Sequence, residues 1–378
     1  MRERKNNSQK SRIDSRERLY LLLSAGAILA LMAVVATTAF LFSRRNKAAE
    51  VAAPGFVLHD QQGRLTSLAQ FRGKVVLLTF IDPECTQICP LTTKSMVDAV
   101  NMLGPAAASQ VQLLGININP LKTGVADVAA YTRSHGLQGR WRFLTGSPDQ
   151  LKKIWHQYNI YEAVVNGDIE HEAAEFLIDA NGKERAIYST PMSYQSVGDQ
   201  ARTFAEGIAP LLPGHPAVSA SSQSSPQQQE AFKPTDTVTL TALGPARKPV
   251  VLGGAHPHLM VFFAGWLGQD ADLSKNLAVL DSYAALARRQ GWPSPVAVDE
   301  TAAEPSQAEA REMLTPLAAR LQTPIVEDAS GRLADGYQVE DMPWAVLISA
   351  SGKILWSHDG WLSADNLDKD IRAALASS

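Results

Sequence analysis

Two eight-residue segments 170 positions apart read almost as one: Phe176 to Lys183 (FLIDANGK) and Val346 to Lys353 (VLISASGK). Each is an apolar run of strand-forming residues that enters a Gly turn, so each predicts a strand leading into a hairpin. The match constrains the chain to two copies of one plan, an internal duplication. Before the first copy, Lys74 to Phe80 (KVVLLTF) is a short buried strand, Leu91 to Met102 is helical, and Val111 to Ile118 (VQLLGINI) is a second buried strand. Asp127 to His135 and Pro148 to Tyr158 also look helical. Before the second copy, Leu259 to Phe263 is a strand, Leu273 to Gln290 a helix and Pro295 to Val298 a strand. Strand–helix alternation closed by a hairpin predicts an α/β layer on a mixed sheet, twice over.

A chain of 378 residues suits two or three domains. Residues 213–234 include PGHPAVSASSQSSPQQQ, rich in Pro, Ser and Gln, which cannot bury enough surface to offset its ordering entropy and reads as a flexible linker. Leu19 to Phe42 is uncharged and mostly Leu, Ala, Val, Ile and Phe. As a helix it would span about 36 Å, enough to cross a hydrocarbon core. Arg2, Arg4, Lys5, Lys10, Arg12, Arg16 and Arg18 precede it, against Arg44, Arg45 and Lys47 after it. That asymmetry predicts a single-pass anchor in the cell membrane, with the N-terminus in the cytoplasm and the rest outside. A cleaved signal peptide is the alternative, with Ala49 to Ala53 as the cleavage zone. The predicted layout is therefore a basic tail (1–18), an anchor (19–42), a first domain (50–212), a linker (213–234) and a second domain (235–378). The formal charge of −3 and the lack of a basic stripe exclude nucleic acid as a partner.

Both cysteines of the chain lie in Phe80-Ile-Asp-Pro-Glu-Cys85-Thr-Gln-Ile-Cys89-Pro90. The buried strand delivers the chain to a turn, and the cysteines sit where the turn becomes a helix. At i, i+4 on a helix both sulfurs share one face. A helix N-terminus favours thiolate over thiol, and thiolate is both the nucleophile and the soft metal ligand. The residues leave a redox pair or a metal site open; a structural disulfide would close too small a loop to stabilise much.

Residues from about Pro54 to Ala209 resemble the SCO/SenC family of copper-handling, thioredoxin-fold proteins of cytochrome oxidase assembly. The resemblance rests on Pro54-Gly-Phe56, on Phe71-Arg-Gly-Lys74 and the strand after it, on Cys85-x-x-x-Cys89-Pro90, and on His171 shortly before Phe176-Leu-Ile-Asp179. It implies a thioredoxin fold and copper bound by Cys85, Cys89 and His171, as Cu(I) and alternatively Cu(II). Two thiolates and an imidazole suit Cu(I) chemically. The implied function is a metallochaperone, not an enzyme, that delivers Cu(I) to a cytochrome oxidase subunit or another extracytoplasmic cysteine-containing protein. The duplication sets His171 in register with Asp341, beside Met342-Pro343, where thioredoxins hold a cis-proline opposite their cysteines. His59, His135 and His156 read as ordinary surface residues. The chain departs from the family where Asn119-Pro120-Leu-Lys-Thr123 replaces a segment with two acidic residues. Within the same fold, a thiol–disulfide oxidoreductase in which Cys85 and Cys89 are catalytic is the alternative. Thr86-x-x-Cys89-Pro90 also fits a peroxiredoxin core, although Asp82 stands where that family has a proline. A membrane scaffold without chemistry is the third reading.

The second region also resembles a thioredoxin. Val261-Phe-Phe-Ala-Gly-Trp266 is similar to the strand and Trp before the family's CxxC, but Leu267-Gly-Gln-Asp270 follows, without cysteine. Such a domain cannot exchange disulfides. Its implied role is structural or in recognition, with Trp266, Met342 and Trp344 on the face where thioredoxins grip extended chain. His256 and His258 read as loop residues ahead of a strand.

Overall fold

The computed structural model describes residues 51–219, 232–253, 256–269 and 272–377. The basic tail, the Leu19–Phe42 anchor and most of the linker lie outside these residues. Among the described residues no helix is long and apolar enough to cross a membrane.

β3 (Val75–Ile81) is buried at every position, and a strand apolar on both faces belongs in the middle of a sheet covered on both sides. It pairs in parallel with β4 (Val111–Asn117) and antiparallel with β8 (Glu175–Ile178). With β1 (Val57–Asp60), β2 (Leu65–Ser67), β5 (Trp141–Thr145) and β9 (Glu184–Tyr188) it forms a seven-stranded sheet, β2-β1-β5-β4-β3-β8-β9. Because successive side chains alternate, Val75, Leu77 and Ile81 face one layer and Val76, Leu78 and Phe80 the other. The first set packs with α1 (Ile88–Met102), α2 (Val125–Ser134) and α4 (Val197–Ile208). The second packs with α3 (Pro148–Gln157), through Leu151, Ile154 and Trp155. Between α3 and β8 a separate hairpin, β6 (Glu162–Val165) and β7 (Asp168–His171), turns on Asn166-Gly167, both at positive φ.

The second region repeats this plan. β12 (His258–Phe263), β13 (Pro295–Asp299), β14 (Ile325–Glu327), β15 (Trp344–Ile348) and β16 (Ile354–Asp359) form the sheet β14-β13-β12-β15-β16. Three parallel strands are followed by two antiparallel ones, in the same order as β5-β4-β3-β8-β9. The hairpins match in detail. The register of β8–β9 shifts between Leu177 and Ile178, and that of β15–β16 between Leu347 and Ile348. In the turns, Lys183 N donates to Asp179 Oδ1 (3.0 Å) and Lys353 N to Ser349 Oγ (3.0 Å). The two sheets thus share one strand order within a mixed α/β architecture. A small hairpin, β10 (Val238–Thr241) and β11 (Pro249–Leu252), precedes it. α5 (Leu273–Gln290), α6 (Gln307–Ala318) and α7 (Ala364–Ala376) complete the region. The Met342–Pro343 peptide is cis.

The two lobes are not beads on a string, since Ala52 to Ser378 form one compact unit. One face of the second sheet, with Leu259, Val261 and Phe263, is covered by α5 and α7. The other, with Met260 and Phe262, belongs to a core that also takes in Leu91, Tyr194 and Val197 of the first lobe. The ends of the expected linker are fastened as well: Ser219 N and Oγ donate to Met102 O at 3.0 and 2.7 Å, and Phe232 is buried.

Candidate metal centre

Helix α1 begins at Ile88, after Gln87 as its N-cap. Cys89 therefore lies in the first turn, and Cys85 in the turn before the helix. The expectation that both cysteines share one helix face is corrected on this point. The pair is instead brought together by a fold-back at Asp82-Pro83, where Glu84 N donates to Asp82 Oδ1 (2.9 Å) and Cys85 N to Asp82 O (3.2 Å). Both thiols are free; Cys85 is half-buried and Cys89 fully buried. The two side chains hydrogen-bond to each other, and the pair is unequal. Donation from the Cys89 thiol, with the Gln87 and Cys89 N–H groups aimed at the same sulfur, holds Cys85 below the ordinary thiol range against its burial. Cys89, as the donor and buried, is pushed well above that range. Of the two, Cys85 gives up its proton more readily.

Asp82 was not among the residues read as functional, and it is the charged hub of the site. Burial pushes its carboxyl up, and its charge acts on Cys85, Cys89 and His171. Asn119 Nδ2 donates to Asp82 Oδ1 at 2.8 Å, while Asn119 Oδ1 accepts from Leu121 N (2.8 Å) and Lys122 N (3.1 Å). This answers the departure at Asn119: an amide there serves one buried carboxylate and its own turn, where an acid would set two carboxylates against each other. Lys122 forms an exposed ion pair with Glu84. The signal that could have found Asp82 is its place between an all-apolar strand and the first cysteine, where a buried acid needs partners.

His171 ends β7. Its Nδ1 lies 2.9 Å from the Glu172 carbonyl, so Nδ1–H donates there and Nε2 is left to accept or ligate. Burial lowers its pKa, which favours the neutral imidazole that a metal needs. Among the described residues, no three His, Cys, Asp or Glu side chains converge closely enough to hold a metal ion. The structure thus assembles the dithiol and sets His171 within the electrostatic reach of Asp82, but does not gather Cys85, Cys89 and His171 into one set.

The other histidines separate. His59 and His156 are exposed, as read, and His258 Nε2 bonds the Gly253 carbonyl at 2.9 Å. His135 corrects the reading. It is buried, stacks on Tyr131 at 3.9 Å between centroids, and packs on Trp266 of the second lobe at 4.7 Å; burial lowers its pKa to about 4.

The first lobe is thus a mixed α/β layer that presents an unequal dithiol at the start of its first helix. The SCO1/SenC family profile matches residues 43–206. The mitochondrial SCO2 homologue of Bos taurus is 31% identical over 179 residues, which cover 45% of this chain and 66% of that protein. The Homo sapiens SCO2 homologue is 29% identical over the same shares. The chain thus spans just under two thirds of these relatives' length. Among solved structures, Bradyrhizobium japonicum ScoI with copper bound is 22% identical, with a TM-score of 0.37 over 43% of this chain and 99% of that one. An SCO1/SenC lipoprotein of Bacillus anthracis is 23% identical, with a TM-score of 0.36 over 42% and 96%.

Proposed function

We propose that this chain is a membrane-anchored copper metallochaperone that carries Cu(I) on Cys85 and Cys89, with His171 as third ligand, and hands it to an oxidase subunit outside the cytoplasm. The observation that carries the reading is the pair of free thiols that the fold-back at Asp82-Pro83 brings together at the start of α1, with Cys85 the more acidic of the two. A soft, low-coordinate sulfur pair suits Cu(I), and hard ions prefer oxygen donors. The neutral imidazole of His171, with Nδ1 pinned to the Glu172 carbonyl, is the ligating form. The match of residues 43–206 to the SCO1/SenC family profile supports the reading, and Leu19–Phe42 with its flanking charges supports the anchor and the topology.

A thiol–disulfide oxidoreductase is the second reading, favoured by the same inequality of the two thiols, which is also that of an attacking and a resolving cysteine. The peroxiredoxin reading loses support, because Cys89, the cysteine its motif would use, is buried and held as the thiol. Cu(I) titration of the reduced protein separates the two survivors. One Cu(I) per chain is expected, lost in Cys85→Ala or Cys89→Ala. His171→Ala should retain it at roughly tenfold or more weaker affinity, the scale for removing a group at a metal site. Full-strength binding in His171→Ala, together with unimpaired oxidase assembly, would transfer the assignment to the oxidoreductase.

A further inference from the structure

The Trp266 turn of the second lobe (Gly265–Gln269) stands over the thiol site of the first. A cleft of about 390 Å³ is bounded by Glu84, Cys85 and Thr86 on one side, by Asp127 and His135 of the first lobe on another, and by Trp266 and Leu267 on the third. The turn is built in: Gly265 N donates to the buried Glu304 carboxyl, and Trp266 is only 5% exposed. The lobes are also clamped. Asp335 accepts from Ser193 Oγ (2.7 Å), Tyr194 N (2.8 Å), Gln195 N (3.2 Å) and Gln195 Nε2 (3.1 Å). Gln87 Nε2, two residues before Cys89, donates to Asp341 Oδ2 (3.3 Å), just ahead of the cis-proline. The face on which thioredoxins grip extended chain is therefore turned to the dithiol.

Two polar atoms in this contact are unsatisfied. Trp266 Nε1 and His135 Nε2 are buried and have no hydrogen-bond partner among the described residues, although both residues border the cleft. A buried indole N–H normally finds an acceptor. The N–H is a donor and the neutral imidazole an acceptor, and both lie buried behind the cleft wall, the complement of a peptide backbone once the wall yields to one. The cleft volume is that of a small-molecule site, roughly 300–1,000 Å³, far too small for a folded surface.

We propose that the cleft between the lobes is the entry slot for an extended, cysteine-bearing segment of a protein partner, and that Trp266 of the cysteine-free lobe is its specificity-determining residue. The proposal rests on Cys85 and Cys89 as the working site and adds who reaches them. An extended segment passes the slot and meets Cys85. A cysteine on a folded surface meets it only if the lobes part.

The test needs no metal, so its failure is distinguishable from failure of the copper reading. Reduced protein is mixed with thionitrobenzoate mixed disulfides of three carriers: glutathione, an unstructured ten-residue peptide and a small folded protein. The Cys85 thiolate attacks the carrier sulfur, the disulfide to the carrier forms, and thionitrobenzoate leaves as its coloured anion. The peptide should react roughly tenfold faster than the folded carrier, the scale of one well-packed contact residue. Asp335→Ala should close most of that gap by raising the folded-carrier rate. Trp266→Ala, or Leu267→Ala if the former does not fold, should lower the peptide rate relative to glutathione. Equal rates for peptide and folded carrier in the parent protein would overturn the proposal, as would a gap that Asp335→Ala leaves unchanged. A glutathione rate well above the peptide rate would assign the slot to small thiols instead.

Discussion

At the scale of single residues, the chain places acids where water cannot reach them, and pH should read this out. Glu175 on β8 is fully buried, and one of its oxygens is bonded only by Thr190 Oγ1 (2.9 Å). Burial raises its pKa from 4.5 to about 7. Below 4.5 both the folded and the unfolded chain hold the proton; between 4.5 and 7 only the folded chain does. The unfolded state then binds fewer protons, so stability falls as pH rises through this window and levels off above it. For Glu175 the loss is on the order of 3 kcal/mol. Asp299, raised to about 7 by burial, acts in the same direction. Denaturant midpoints at pH 5 and pH 8 check this: the drop should be clear in the parent and smaller in Glu175→Gln. An equal drop in both would remove Glu175 from the account. Asp82 and Glu175 share a lesson about legibility. The motif Cys85-x-x-x-Cys89-Pro90 was readable because cysteines are rare here and four apart, whereas an acid at the end of a strand, as Asp82 after β3 or Glu175 at the start of β8, looks like any surface acid until the fold buries it.

At the scale of elements, the long apolar strands and the helices with clear periodicity were legible: β3, β4, α5 and the paired hairpins fall within a residue or two of expectation. Short edge pieces were not. β1, β2, β14 and the β10–β11 hairpin are three or four residues each, too short to show a period, and β1 joins the sheet through distant chain, His59 against Thr145 of β5. The β6–β7 hairpin carried a signal, Asn166-Gly167 between alternating residues, that the stronger Asn181-Gly182 overshadowed. That hairpin matters because His171 is its last residue. Gly167 has φ 101°, outside what a side chain tolerates cheaply. Gly167→Val should loosen the turn by about 1 kcal/mol or more and shift His171. Cu(I) affinity should fall as it does in His171→Ala, while alkylation of Cys85 by iodoacetamide keeps its rate. Unchanged copper affinity would show that the hairpin does not position the histidine.

At the scale of the whole molecule, the second lobe completes its core with Leu91, Tyr194 and Val197 of the first. No local pattern announces such a contact, since an apolar residue that covers a neighbour lobe looks like one that covers its own. The repeated strand order has a consequence for biogenesis. A hairpin with the register of β8–β9 can be offered to the sheet that expects β15–β16, and tandem copies of one topology are prone to such wrong pairings. On the ribosome the first copy leads the second by the 170 residues of the repeat, a head start of roughly 10–30 s at ordinary synthesis rates. Chain diluted from denaturant has no such head start. Its recovery of native protein should stop short of complete by a fraction that does not change with protein concentration, because the mispairing is within one chain. Full recovery at every concentration would show that the two copies have diverged enough to exclude each other. Otherwise, the direction in which the chain is made is part of how each strand finds its own sheet.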